Sequence, residues 1–492
     1  MRNSLYKKIG NATKWSTITE ILAKLVMPVS NIILARLLVP EAFGVVATVT
    51  MIVSFADMFT DAGFQKYLIQ HKFKTEKALY DHTAVAFWTN LLLSIFIWMI
   101  IVIFATPLTN LIGSPGLEAV IIISCISLPL TSFSSIQMAL YRRSFDYKPL
   151  FLTRMISICV PFVVTIPLTL LWNSYWALII GTLCGNLTNA VILTLKSKWK
   201  PKAFYRLSIL KSMISFSIWS LLESITVWLI SWGDVFIIGT LLNSYYLGLY
   251  KTSMNTVNSI IALITSATVP ILLATLSRLQ DDEQEYQRMF FKFQRLVGVF
   301  VFPLGVGMFI YSDFITSILL GGQWEEASLF VGIWGLISAI AIPFSTYCGI
   351  VYISKGRPKV SFWAQILQLI VLIPVIYISA NYSFTTLIYS RSLIRIEGFL
   401  VHFLIIYYVF KISPWKMIRN VMPCIVASII MAFVAIVLQR FYDGFLWNII
   451  SILVCIVLYF GVIGLFRDVR NELVLILKYN KKKASSTEKD ID

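Results

Sequence analysis

The stretch TLIYSRSLIRIEG (386–398) places Arg391, Arg395 and Glu397 inside an otherwise apolar, small or hydroxyl-bearing run. On a helix the two arginines lie four apart on one face. A guanidinium stays charged and presents a planar fork of donors, which grips phosphate or carboxylate oxygens in pairs. Two of them one turn apart suit an anion with several oxygens. The competing expectation is a neutralised network with Glu397 or with acids from other helices.

More charges interrupt other apolar runs. Glu20 and Lys24 are spaced as an i,i+4 ion pair. Arg36 stands near the end of its run, where it can also snorkel to the interface. Lys251 follows Glu223 and Asp234, which are eleven apart on one helical face and either of which is a possible partner for it. Asp57 lies deeper in its run than Asp61. A charged side chain at the centre of a membrane helix costs about 2.5–3.5 kcal/mol on insertion scales. These groups are therefore expected to face a cavity or one another. We read Arg391, Arg395, Lys24, Arg36 and Lys251 as a cationic cavity, and Asp57, Glu223 and Asp234 as sites for a coupling proton or Na⁺. No other cofactor is expected.

The elements that must hold these charges follow from composition. Of 492 residues, 58% are hydrophobic and only 13% are charged, against about a quarter charged in a soluble domain. Apolar runs long enough to cross a bilayer recur along the chain, and they do not alternate as barrel strands would. The expected fold is an all-α polytopic membrane protein. Fourteen spans are predicted at 14–38, 42–62, 84–106, 116–139, 150–172, 175–195, 212–242, 246–276, 293–320, 327–353, 360–380, 384–410, 417–439 and 444–466. The first fifteen residues are polar and basic, and no cleavable leader is expected.

Charge orients the spans. Of 41 basic residues, 35 fall in alternate loops and the termini. By the positive-inside rule both termini are cytoplasmic. Such strict alternation argues against a nucleic-acid surface as the meaning of the net charge of +17. The six cysteines all lie in apolar runs without a C-x-x-C and read as free thiols.

An internal repeat organises the chain. IILARLLVPEAFG (32–44) lies over FIIGTLLNSYYLG (236–248), and Trp15-Ser16 over Trp219-Ser220, all at an offset of 204. NLIGSPGLEA (110–119) lies over ILLGGQWEEA (318–327) at 208. This divides the chain into a six-helix lobe at 1–196 and a second at 212–410. A basic amphipathic linker at 197–211 is expected to lie on the inner membrane surface or to be solvated. Helices 13 and 14 fall within 411–470, and a polar tail at 471–492 reads as disordered. Six spans per copy make the repeats parallel in topology, an arrangement suited to alternating access.

The residues Trp15-Ser16, Leu34-Ala35-Arg36-Leu37-Leu38, Pro40 and Phe43-Gly44, with GFQKYLIQ (63–70), Ser277-Arg278-Leu279-Gln280-Asp281 and LLGGQWEEA (319–327), resemble a known family. It is that of the polysaccharide exporters of the multidrug/oligosaccharidyl-lipid/polysaccharide superfamily, including Wzx-type flippases and teichuronic-acid exporters. Glu325-Glu326 is more acidic than the family pattern. The resemblance implies MATE-like lobes and a flippase in the bacterial inner membrane. Its cargo would be a polyprenyl-pyrophosphate-linked oligosaccharide destined for surface polysaccharide. The implied partners are that glycan lipid, membrane lipids, and the polymerase and glycosyltransferases of the same assembly line. The cationic cavity would then meet the lipid pyrophosphate.

Three alternatives stand beside this reading. Two are a lipid II flippase and an ion-coupled small-molecule exporter of the same superfamily. The third is a membrane glycan polymerase or ligase, which the longest outer loop, 107–115, leaves little room for. A G-K dipeptide and an H-E-x-x-H are absent from the sequence, and His71, His82 and His402 are dispersed. An enzyme is therefore not expected.

Overall fold

The computed structural model describes residues 28–61, 63–442, 444–467, 469 and 470, together with Trp15, Thr19, Leu22, Ala23 and Val26. The side chains of 61, 215–220, 222, 223 and 358 lie outside that description. Among the described residues every regular element is helical. Thirteen helices are long and apolar enough to cross a membrane. The first expected span begins among residues outside the description; its described part is α1, Pro28–Leu37. The polar tail at 471–492 also lies outside it.

One compact unit comprises 1–252, 319–324 and 376–384. After α1 it contains α2 (Pro40–Asp61), α3 (Phe64–Gln70), α4 (Glu76–Ile103), α5 (Ala105–Leu111), α6 (Glu118–Ser124) and α7 (Ser127–Arg143). It continues through α8 (Tyr147–Val160), α9 (Ile166–Trp172), α10 (Trp176–Lys196), α11 (Leu207–Leu241) and the first residues of α12 (Ser244–Arg278). The second unit comprises 253–318, 325–375 and 385–492. It holds the rest of α12, α13 (Glu283–Ile310), most of α14 (Ser312–Leu319), α15 (Ser328–Ala341) and α16 (Tyr347–Ser354). Most of α17 (Pro358–Ala380) and α18 (Phe384–Phe410) follow, and then α19 (Pro414–Phe441) and α20 (Phe445–Leu465).

Two helices start well before their apolar runs, because a cap and not hydropathy sets the boundary. α4 begins at Glu76, where the Thr75 hydroxyl accepts from the Ala78 N–H at 3.1 Å. α13 begins at Glu283, where Asp282 accepts from the Glu285 N–H at 3.1 Å. Each cap is worth about 1 kcal/mol. The two helices are 28 residues long and start 207 residues apart, and each is followed by a short helix, α5 or α14. The repeat thus extends to caps and breaks that the sequence alignment did not include.

Inside the first unit the two copies of the opening motif grip each other. A Cβ on Gly44 would fall 1.8 Å from the Ser244 carbonyl oxygen, and one on Gly248 would fall 1.9 Å from that of Pro40. Both pairs are related by the offset of 204, so each copy supplies the glycine for the other's helix start. The second anchor behaves in the same way. Gly113 (φ 66°) approaches the carbonyls of Gly239 and Thr240, and Gly321 (φ 102°) approaches Arg36. Arg36 and Thr240 are themselves repeat equivalents.

The segment LLGGQW closes the end of α1. The Gln323 side-chain amide donates to the carbonyls of Ala35 (2.8 Å) and Leu38 (2.7 Å), and the Trp324 indole donates to that of Ala35 (2.7 Å). Trp324 is fully buried, edge-on to Phe43 at 5.3 Å. These donors satisfy carbonyls that the helix end leaves open. GFQKYLIQ forms α3, whose last carbonyls accept from Arg143: its Nη1 reaches the oxygens of Leu68 (2.7 Å) and His71 (2.8 Å). Burial pushes the Tyr67 phenol above its ordinary value.

The linker is not a helix over 197–206; α11 starts only at Leu207. Pro201 lacks an N–H, and apolar packing supplies what a helix would have given. Trp199 is buried against Phe87 and Tyr80. The backbone carbonyls of Lys200 and Lys202 accept from Tyr80 and from Trp88 (2.8 Å). The linker, expected on the inner membrane surface or solvated, is thus in part docked on the protein itself.

Candidate cargo-binding site

α15 approaches α13 through glycines. A Cβ on Gly335 would lie 2.8 Å from Met308 Cβ, and one on Gly332 would lie 3.3 Å from the Phe309 carbonyl oxygen. This close packing fixes the rotation of α15 and directs Trp334, the residue before Gly335, to a different side. Trp334 is fully buried, and its indole N–H donates to Asn258 Oδ1 at 3.3 Å.

α18 lays both arginines on that ring. The guanidinium carbon of Arg391 is 4.8 Å from the Trp334 ring centroid, and that of Arg395 is 3.9 Å. Arg391 is 7% exposed and Arg395 is half-buried. A π-face attracts a cation by about 0.5–1 kcal/mol when exposed and about 2 kcal/mol when desolvated. Stacking therefore orients the pair, ring face against guanidinium plane.

Glu397 does not neutralise the pair. Two residues beyond Arg395 on a helix it points elsewhere, and it makes no ion pair with either arginine among the described residues. Its Oε2 is buried with no hydrogen-bond partner there. Of the competing network with Glu397 or with acids from other helices, the Glu397 part is not formed among the described residues. Trp334 is the residue that sequence reasoning missed. Its signal was the placement of a tryptophan between two glycines in GIWG (332–335), which marks a close helix crossing with a large side chain beside it.

The other expected residues belong to the first unit or lie outside the description. Lys251 places its Nζ 4.1 Å from the centroid of Trp232. Arg36 is exposed in the last turn of α1, beside Gly321. Asp234 is 3% exposed and accepts from the Tyr250 hydroxyl at 2.7 Å and from the Val235 N–H at 2.8 Å. Asp57 is half-buried in α2; its Oδ1 accepts from Thr131 (2.9 Å) and from Thr60 (3.3 Å). Lys24 and Glu20 lie outside the described residues, as does the side chain of Glu223. Thus the structure brings Arg391 and Arg395 together on one ring, while Lys251 lies over Trp232 and Asp234 accepts from Tyr250.

Comparison with known proteins extends this geometry. Residues 33–329, more than half of the chain, match the family model described as polysaccharide biosynthesis protein. The succinoglycan biosynthesis transport protein ExoT of Rhizobium meliloti (strain 1021) is 23% identical over 337 residues, covering 68% of this chain and 67% of ExoT. The lipopolysaccharide biosynthesis protein WzxC of Escherichia coli (strain K12) is 20% identical over 387 residues, covering 77% and 76%. The teichuronic acid biosynthesis protein TuaB of Bacillus subtilis (strain 168) is 18% identical over 435 residues, covering 88% and 89%. The fold is that of the lipid II flippase MurJ in its inward closed conformation: TM-score 0.73, 15% identity, 92% of this chain and 98% of MurJ. An inward-facing MATE family transporter of the MOP superfamily shares it at TM-score 0.58 and 12% identity, over 79% and 96%. A multi-pass helical membrane protein, this chain belongs to the polysaccharide biosynthesis protein family.

Proposed function

We propose that the protein is a flippase that moves a polyprenyl-pyrophosphate-linked oligosaccharide from the inner to the outer leaflet of the bacterial cytoplasmic membrane, by alternating access, for surface polysaccharide assembly. The observation that carries this reading is the pair Arg391 and Arg395 stacked on buried Trp334 within a membrane helix. A small organic cation would be repelled there. A pyrophosphate group matches two guanidinium forks, and in a poorly solvated site each charge-assisted bond counts for more than in water. The family match and the MurJ-like fold support transport of a lipid-linked glycan in preference to chemistry upon it. Lys251, Arg36 and Lys24 are proposed to assist with acidic parts of the cargo.

Asp57, held by two threonine hydroxyls, is the proposed site of a coupling proton or Na⁺, with Asp234 and Glu223 as further candidates. Both termini are proposed to be cytoplasmic, which follows from the distribution of Lys and Arg.

The test is reconstitution of the full chain in vesicles carrying polyprenyl-pyrophosphate glycans. The expected result is protein-dependent exposure of the glycan in the opposite leaflet. Failure with every glycan lipid combined with transport of organic cations would reverse the reading.

A further inference from the structure

A cavity of about 840 Å³ opens in the first unit, where the ends of α7, α8 and α10 meet the linker. It is remote in sequence from the arginine pair and takes no part in the function proposed above. Lys148 opens one membrane span and Lys196 closes the next, so the cavity sits at the level where helices leave the bilayer. Lys148, Lys196 and Lys198 line it, are exposed, and are held in no ion pair among the described residues.

Three further features point to an anion with an apolar attachment. The Trp199 side chain is 8% exposed and lines the cavity, yet its indole N–H has no acceptor among the described residues. A donor left open in this way is costly unless something fills the role. α8, fourteen residues long, starts at the cavity with no side-chain cap, so the N–H groups of Tyr147 and Lys148 and the positive dipole end stay open, Pro149 having no N–H. The walls are otherwise aromatic: Trp15, packed on Phe151 at 4.8 Å, together with Tyr141 and Tyr147. Asp146 is the one carboxylate in the lining, and it leaves a surplus of positive charge.

Lysines and tryptophan at a span end, open amide donors and apolar walls are what a phosphodiester on a lipid requires. We infer that this cavity is a binding site for the phosphate headgroup of an anionic phospholipid, separate from the cargo site. The same donors would accept free phosphate, which lacks any use for the aromatic walls.

The test uses the full chain in nanodiscs of phosphatidylcholine with or without phosphatidylglycerol, and native mass spectrometry to count retained lipid. Lys148→Gln/Lys196→Gln/Lys198→Gln is expected to weaken phosphatidylglycerol retention by about tenfold or more. Trp199→Phe, which keeps the ring and removes the N–H, should weaken it about threefold. A control triple variant on the same basic side, Lys72→Gln/Lys74→Gln/Lys77→Gln, should change it less than about twofold. Equal losses from both triple variants would show diffuse surface attraction and overturn the assignment. So would capture of inorganic phosphate in phosphatidylcholine discs without any retained phosphatidylglycerol, which would assign the donors to a soluble anion.

Discussion

Trp334 is the ring on which both arginines stack. It is buried, carries a guanidinium at 4.8 Å and another at 3.9 Å, and is itself oriented by Asn258. Arg395→Lys keeps the charge but loses the planar fork and most of the stacking. Transport by Arg395→Lys is expected to fall about tenfold at unchanged protein level, with lipid-linked glycan as the measured cargo. Trp334→Leu removes the platform and leaves both charges. It should reduce transport comparably and also lower thermal stability by about 3 kcal/mol, in the range for truncating a buried aromatic; a melt in detergent reads the second effect. Arg391 and Arg395 were legible as a pair from their spacing. The competing expectation of a network with Glu397 did not allow for the divergence of i,i+2 residues on a helix. Trp334 was not legible, because tryptophan in an apolar run is most often plain core, and only the glycine-lined contact of α15 with α13 shows which way it points.

At the level of elements, close contacts between backbones hold the first unit's helix starts in register. Gly44→Ala and Gly248→Ala each force a methyl group within 2 Å of a carbonyl oxygen. Each should destabilise by about 1–3 kcal/mol as overpacking, and their effects should be less than additive, because both act on the same crossing. Trp324→Phe retains the buried ring but leaves the Ala35 carbonyl with Gln323 alone, for a loss of about 1 kcal/mol. Apolar runs predicted the membrane-crossing parts to within a few residues for most helices. They failed at the starts of α4 and α13, because polar turns beyond the hydrocarbon are set by Thr75 and Asp282. They failed also at the linker, where Trp199 and Phe204 pack on α4 and its neighbours although their pattern matches an amphipathic helix.

At the scale of the whole molecule, the repeat read in the sequence carries charges that differ between its two copies. Equivalent caps, breaks and glycine contacts recur, yet Arg391 and Arg395 lie opposite Leu183 and Leu187, and Asp234 lies opposite Ser30. Groups needed only to hold the fold would be expected to recur with it, so the asymmetry supports the proposed cargo role of these charges. Orientation is tested by single cysteines placed in a cysteine-free background. Lys74→Cys should react with an impermeant maleimide only from the cytoplasmic side, and Tyr382→Cys, at a residue 78% exposed, only from the outside. Reaction of both from one side would contradict the proposed topology. The central claim is that the arginine pair on Trp334 carries the anionic end of the cargo across the membrane. It is tested most directly by the leaflet-to-leaflet rate of a polyprenyl-pyrophosphate glycan in vesicles, comparing the native chain with Arg391→Ala/Arg395→Ala at matched protein density. A rate at least about tenfold lower in the variant is predicted, from the loss of two charge-assisted contacts; an unchanged rate would contradict the account.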